Sequence, residues 1–272
     1  MPETPVPRAG PPGAAIQSVA RACALLEQLA LLRAAGVVQL AAATDLRPAT
    51  VHRLLRALCA AGLVTQDATT RLYHPTLRLF EWGQAAVLRL QVREVAKPFL
   101  QSLAAEVKET ATLGLREGAD VIYIEWIPGH HLIQPRVHIG ARVPAYRSSL
   151  GQCLLAWLPD DERRRLLHSR PLVRGGPNTL LSVAAIEQRL TEVRARGYAI
   201  DDEEHAAGVR AVGAPLRDAA GRVVAAIGLG APTSRMPPRR IAALGQRLIE
   251  VAHTISSHLG YSAGATPLST AR

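Results

Sequence analysis

The sequence predicts an α+β protein in three parts: an N-terminal winged helix-turn-helix, a linker helix, and a larger unit built around an antiparallel sheet. Three observations carry this. Residues 37–74 read as helix, tight turn, helix and short hairpin; residues 76–91 are apolar nearly all round; beyond residue 93, β-branched runs alternate with turns and amphipathic helices. The expected divisions are a disordered tail at 1–15, the winged unit at 16–75, the linker helix at 76–92, the sheet-containing unit at 93–261 and a tail at 262–272.

A chain of 272 residues has room for one large or two modest domains, and a hydrophobic content of 48% is globular rather than disordered. The net charge of +10 suits a polyanionic partner, although a basic protein with no nucleic-acid site would carry the same charge. Cys23, Cys59 and Cys153 are far apart and form no CxxC pair, so buried thiols in a reducing compartment are expected. His130, His131 and His138 have no carboxylate or thiolate at ligand spacing, so neither metal nor cofactor is expected. No run is long and apolar enough for a membrane span, and the Pro- and Gly-rich start lacks the apolar core of a signal peptide. The expected location is cytoplasmic, without membrane contact.

Taken in order, a first helix is expected from Ser18, its N-cap, to Leu32, with Val19, Cys23, Leu26 and Leu29 facing inward. A short helix at 39–44 and a turn at Asp45 and Leu46 lead to a second helix near Pro48, a residue suited to the first helical turn. In it Val51, Leu54, Leu55 and Leu58 form one buried stripe, while Ala49, His52, Arg53 and Arg56 lie opposite with Thr50 at the edge. Gly62 ends this helix; Leu63 and Val64 start a strand, 65–71 is a polar loop and 72–74 the return strand. An ordinary helical hairpin with a solvated basic face shares the helix pattern; the wing that follows at the right distance favours a recognition helix offered to the major groove. On that reading the partner is double-stranded DNA. His52 and Arg53 meet base edges, while Arg47, Thr50, Arg56 and Arg71 contact phosphate or the minor groove.

Over 76–91, Phe80, Val87 and Leu88 line one side and Leu79, Trp82, Ala86 and Leu90 the other. Such a helix must be covered on both faces, as a linker that joins a dimer interface or as one buried helix of a single core. A helix from about Val95 to Glu109 follows, then strands at 110–115 and 121–126 joined by a turn at 117–120, and a further strand at 132–143. Residues 148–158 read as a loop opening into a short helix, and Asp160 caps the next, to His168. Ser182 caps a helix with Val183, Ile186, Leu190 and Val193 inward, closed by Gly197. Residues 201–205 form an acidic loop, in which Asp201 is either solvated or a partner for Arg210. Strands at 209–216 and 222–229 and a final helix after Pro237 and Pro238 complete the unit.

ThrValHisArgLeuLeu (50–55) followed by GlyLeuVal (62–64) resembles the DNA-binding domain of the IclR family of bacterial transcription regulators. The similarity extends from about Ile16 to Tyr261. It is most specific at 198–215, TyrAlaIleAspAspGluGluHisAlaAlaGlyValArgAlaValGlyAlaPro, with further matches at GlyGlnCysLeuLeuAla (151–156) and AlaProThrSerArg (231–235). The resemblance implies a GAF-like effector domain, dimers or tetramers, and operator binding controlled by a small organic-acid metabolite; repression and activation both stay open. It also implies an effector pocket at Ser149, Leu150, Asp201, Val209, Ala211, Gly228 and Gly230. Relatives that bind small keto acids carry a thiol and two hydroxyls where Ala211, Gly228 and Gly230 stand. The loss of those groups points to a roomier wall and to an aromatic or branched acid, with Arg136, Arg142 and Arg147 as sources of counter-charge. Two other classes fit parts of the sequence. An enzyme using Cys153 or Ser149 lacks a nucleophile elbow and an oriented base, and no enzyme is expected. A DNA-binding protein without ligand control would not need the long second unit.

Overall fold

The computed structural model describes residues 17–87, 91–135 and 137–262. The chain forms two compact units divided at residues 89 and 90. The first holds α1 (Gln17–Leu32), α2 (Val37–Thr44), α3 (Pro48–Ala60), the hairpin of β1 (Val64–Gln66) and β2 (Tyr73–Pro75), and α4 (Leu77–Val87). Its core is Leu25 and Leu29 of α1, Leu40 of α2, Val51, Leu55 and Leu58 of α3, and Tyr73 of the hairpin. Two expectations for α1 are corrected. The helix already includes Gln17, so Ser18 lies within it rather than at its cap, and Val19 and Cys23 are exposed. Of the other two expected inward residues, Leu29 is fully buried and Leu26 packs partly buried against the core, and Leu25, one turn before Leu29, joins them.

The second unit comprises α5 (Gln91–Val107), β3 (Thr110–Glu117), β4 (Asp120–Ile127), β5 (Arg142–Pro144), α6 (Ser149–Ala156), α7 (Asp160–His168), α8 (Val183–Arg196), β6 (Ala199–Asp202), β7 (Val209–Arg217), β8 (Val223–Pro232) and α9 (Pro238–His258). Its six strands pair antiparallel in the order β5-β4-β3-β8-β7-β6. Because side chains alternate across a strand, the sheet has two apolar faces to cover. Ala111, Leu113, Val212, Ile227 and Leu229 pack with α5 and α9 in one core. Tyr123, Val143 and Ala226 pack with α6 and α8 in the other.

The structure departs from the sequence reading at four places in this unit. α5 opens at Gln91, four residues before the expected Val95, and carries Pro98 inside it. The strand expected over 132–143 is reduced to Arg142–Pro144. Pro135 has no N–H for a ladder and Gly140 turns the chain at φ 87°, so only the last residues pair with β4. The cap of α7 is Pro159, which leaves Asp160, Asp161 and Glu162 in the first turn, where acidic side chains suit the helix dipole. Asp201 and Asp202 belong to β6 instead of a solvated loop.

α6 is buried along its whole length and lies on the sheet at close range. A Cβ on Gly213 of β7 would stand 2.8 Å from the Ser149 backbone, and one on Gly151 would run into the Ala145 backbone. Glycine at both positions is what lets the start of α6 touch the strands.

Candidate functional site

The register of the sheet assembles a row across four strands: Thr110 pairs with Gly230, Gly230 with Ala211, and Ala211 with Asp201. One step along, Thr112 pairs with Gly228, and Gly228 with Gly213. Cross-strand partners share a face, so the small residues of these rows leave a hollow beside α6. The hollow has about 60 Å³ in which the centre of a water molecule can move. All seven residues expected at an effector pocket border it: Ser149, Leu150, Asp201, Val209, Ala211, Gly228 and Gly230.

Sequence reasoning missed Thr110, Thr112, Tyr123, Ser148 and His205, which border the same cavity. Thr110 and Thr112 had a visible signal, hydroxyls alternating along a strand whose other face is apolar. Tyr123 gave none, because its place depends on pairing with Gly114 across the β3–β4 hairpin.

At the entrance of α6, Ser148 is the N-cap and its hydroxyl accepts from the Gly151 amide at 3.1 Å. The amides of Ser149 and Leu150, the first two of the helix, have no acceptor among the described residues. They stand at the positive end of the helix dipole, beside the cavity, which makes this wall receptive to an anion.

Asp201 is 4% exposed. Its Oδ1 accepts the backbone amides of Glu204 at 2.8 Å and His205 at 3.1 Å, which folds residues 203–205 back over the end of β6. The expected alternative, an Asp201–Arg210 pair, is not formed; Arg210 pairs with Asp202. Burial pushes the Asp201 carboxyl up to about 7, against the two amides that favour its charge. Glu204 is also raised by burial, opposed by its ion pair with Arg189 and a bond from Gln152 at 2.7 Å. His205 is held below its ordinary value by burial and by the charge of Arg147.

The segment after β4 closes the cavity with Pro135 and Val137. It is tied down by Thr110, whose hydroxyl donates to Gln134 Oε1 at 3.2 Å, and by Arg235, which donates to the Ile133 carbonyl at 2.9 Å. Arg235 and Arg240 each stand 2.9 Å from the fully buried Glu109, and His131 is 3.9 Å from it. Of the expected counter-charges, Arg142 pairs with Glu117 in an exposed position and does not border the cavity, and Arg147 donates to the Val173 carbonyl at 3.3 Å. Arg136 lies outside the described residues.

Ser149, His205 and Asp201 border one cavity, yet they do not form a catalytic relay. Asp201 receives the backbone amide of His205, and the imidazole makes no hydrogen bond to either side chain among the described residues. Cys153 is fully buried and burial pushes its thiol up to about 12, which leaves it unreactive at neutral pH.

In the winged unit, Arg47, His52, Arg53 and Arg56 are exposed on or beside one face of α3, with Thr50 half-buried at its edge. Arg47 is the residue at the N-cap position. Arg71 stands in the wing at φ 59°. The wing is built on Asp67, whose Oδ1 accepts from the amides of Thr69 at 2.9 Å and Thr70 at 2.7 Å. These bonds hold the Asp67 carboxyl below its ordinary value.

The Asp201 geometry has a consequence for stability against pH. The folded chain keeps the Asp201 proton up to about pH 7, whereas the unfolded chain releases it near 3.8, so between these values the folded state binds more protons. Stability therefore falls as pH rises through that window. Asn at 201 can still accept both amides but cannot ionise. Relative to Asp201→Asn, the unaltered protein is expected to lose up to about 4 kcal/mol from pH 4 to 7 in denaturant unfolding. Parallel pH profiles for the two proteins would mean that the buried carboxyl is ionised throughout.

The described residues contain no helix long and apolar enough to cross a membrane. The model of the IclR helix-turn-helix domain matches residues 18–68, and that of the bacterial transcriptional regulator IclR C-terminal domain matches residues 84–257. The HTH-type transcriptional regulator BhcR of Paracoccus denitrificans is 34% identical over 241 residues, covering 89% of this chain and 86% of its own. An IclR transcriptional regulator from Alicyclobacillus acidocaldarius superposes with a TM-score of 0.78 at 27% identity, covering 91% of this chain and all of the other. An IclR homologue from Microbacterium hydrocarbonoxydans, solved in complex with 4-hydroxybenzoate, gives 0.77 at 25% identity, covering 89% and 98%. The Paracoccus and Alicyclobacillus relatives are named as transcriptional regulators. The winged face, the sheet with its buried cavity and the two domain matches together make this chain a DNA-binding transcriptional regulator of the IclR family.

Proposed function

We propose that this regulator binds a near-palindromic operator as a homodimer, or a dimer of dimers, in the cytoplasm, and that a small organic acid in the Asp201 cavity controls that binding. His52 and Arg53 read base edges; Arg47, Thr50, Arg56 and Arg71 hold phosphate or the minor groove. Support comes from the exposure of Arg47, His52, Arg53, Arg56 and Arg71, with Thr50 half-buried at the edge of α3. Leu77, Phe80 and Trp82 of α4 are 79%, 62% and 54% exposed in the single chain, apolar side chains on more than one side of the helix that a second copy could cover. The proposed divisions stay at 1–15, 16–75, 76–92, 93–261 and 262–272. Arg53→Ala is expected to cost about 1–3 kcal/mol and relax preference at one base pair, while Arg71→Ala weakens all sequences alike and flattens the salt dependence by about one unit. Gel-shift titrations on sequence variants check both, with sedimentation of the complex for its stoichiometry. Unchanged preference in Arg53→Ala, or a monomer bound to DNA, would contradict the reading.

The single observation that carries the effector reading is the cavity itself, where amides of α6 without a partner among the described residues and a buried acid border one hollow. With about 60 Å³ open to the centre of a water molecule, the cavity has room for several waters or one small acid. The carboxylate of the ligand sits at the Ser149 and Leu150 amides, and its body lies along the row of small residues. An aromatic or branched acid fits this wall better than a small keto acid, and the 4-hydroxybenzoate complex of the Microbacterium relative is in keeping with it. The two glycines differ, however. At Gly228 a Cβ would crowd Val212 O at 3.1 Å and Thr112 Oγ1 at 3.3 Å, so its missing side chain leaves no added room. At Gly230 the nearest atom would be Pro135 Cγ at 3.8 Å, so the added volume is there. Gly230→Ser is therefore expected to weaken an aromatic acid about tenfold and to favour glyoxylate or pyruvate in calorimetry. Tight binding of those keto acids to the unaltered protein, with none of aromatic acids, would overturn the assignment.

A further inference from the structure

α6 and β7 reach a second pocket at their other ends. Trp157 follows α6 as its C-cap, and β7 continues from Ala211 to Arg217. Together with α9 they enclose a groove with about 200 Å³ in which the centre of a water molecule can move. No lining residue is shared with the Asp201 cavity.

Arg217 is the charged side chain along this groove, and among the described residues no carboxylate borders it. Among the described residues Arg217 has no ion-pair partner, whereas Arg210 and Arg222 on either side of it in sequence are paired with Asp202 and Asp218. Its guanidinium is nonetheless fixed. Nη1 donates to the Gly221 carbonyl at 2.9 Å, and the group lies 5.0 Å from the Trp157 ring and 6.0 Å from that of Tyr261. His253 in turn meets Tyr261 edge-on at 6.4 Å. Aromatic rings thus flank the planar cation, while Nε and Nη2 have no acceptor among the described residues.

We propose that this groove is a second ligand site, which takes a small organic monocarboxylate with a flat apolar body. The free edge of a guanidinium fits a carboxylate through two parallel hydrogen bonds, and a side chain already held by stacking loses little freedom in making them. Ala214, Pro215, Ile249 and Ala252 supply the apolar wall for the body. A phosphate fits less well. It needs more donors than one guanidinium edge, and the Ser256 hydroxyl is already engaged, donating to the Ala252 carbonyl at 2.6 Å and accepting the Arg217 amide at 3.0 Å.

The test uses the full chain, sodium benzoate as probe, and the indole N–H signals of the tryptophans in nitrogen-15 NMR, with the Trp157 signal assigned by its loss in Trp157→Phe. Benzoate is expected to shift the Trp157 signal saturably in the millimolar range. Arg217→Gln should weaken that response at least about tenfold, and Arg217→Lys, which keeps the charge but not the planar fork, should retain part of it. A Trp157 signal that does not move overturns the site. So does a shift that persists in both Arg217 variants, which would mean that it arrives from the Asp201 cavity through α6. Inorganic phosphate displacing benzoate would overturn the ligand class.

Discussion

Asp201 is an acid taken out of water at the end of an inner-facing row, and the second unit is arranged around that fact. Its two backbone partners, the amides of Glu204 and His205, turn the chain after β6 and bring Glu204 to Gln152 of α6 and Arg189 of α8. The same turn carries His205 to the cavity wall. The acid, the helix beside it and the chain that closes the strand are therefore one construction, and a change at Asp201 is felt at each of them. Tyr123 feels it as well: burial and the Asp201 carboxyl both raise its phenol above its ordinary value.

This arrangement sets the electrostatics of recognition. Among the described residues bordering the cavity there is no Lys or Arg, and what these residues offer an anion is helix amides and hydroxyls. An ionised Asp201 in the same small space would repel that anion. A protonated Asp201 does not, and it can donate to the ligand. Burial favours the neutral form close to physiological pH, so under the proposed effector reading anion binding and proton uptake would be joined in one site.

Much of this was legible in the chain. The α3 stripe of Val51, Leu55 and Leu58 with its basic opposite face follows from helical periodicity alone, and the family resemblance marked seven residues that the fold gathers around one cavity. What local pattern does not carry is register. Asp201 looks like part of a solvated acidic run; only the pairing of β6 with β7 turns it inward and its neighbour Asp202 toward Arg210. The segment at 132–141 reads as a strand by composition, but none of its described residues joins the ladder, and Pro135 and Val137 border the cavity instead. Gly228 and Gly230 look equivalent in sequence, yet the approach of Thr112 and Val212 fills the space at one and leaves it at the other.

The most direct measurement is calorimetry of an aromatic carboxylate, repeated at pH 6 and pH 8 in buffers of different ionisation enthalpy, which counts the protons taken up on binding. With Asp201 titrating at about 7, uptake should be close to zero at the lower pH and approach one proton at the higher, with affinity falling as pH rises. Binding that takes up no proton at either pH, with constant affinity, would contradict the pairing of a neutral Asp201 with an anionic ligand.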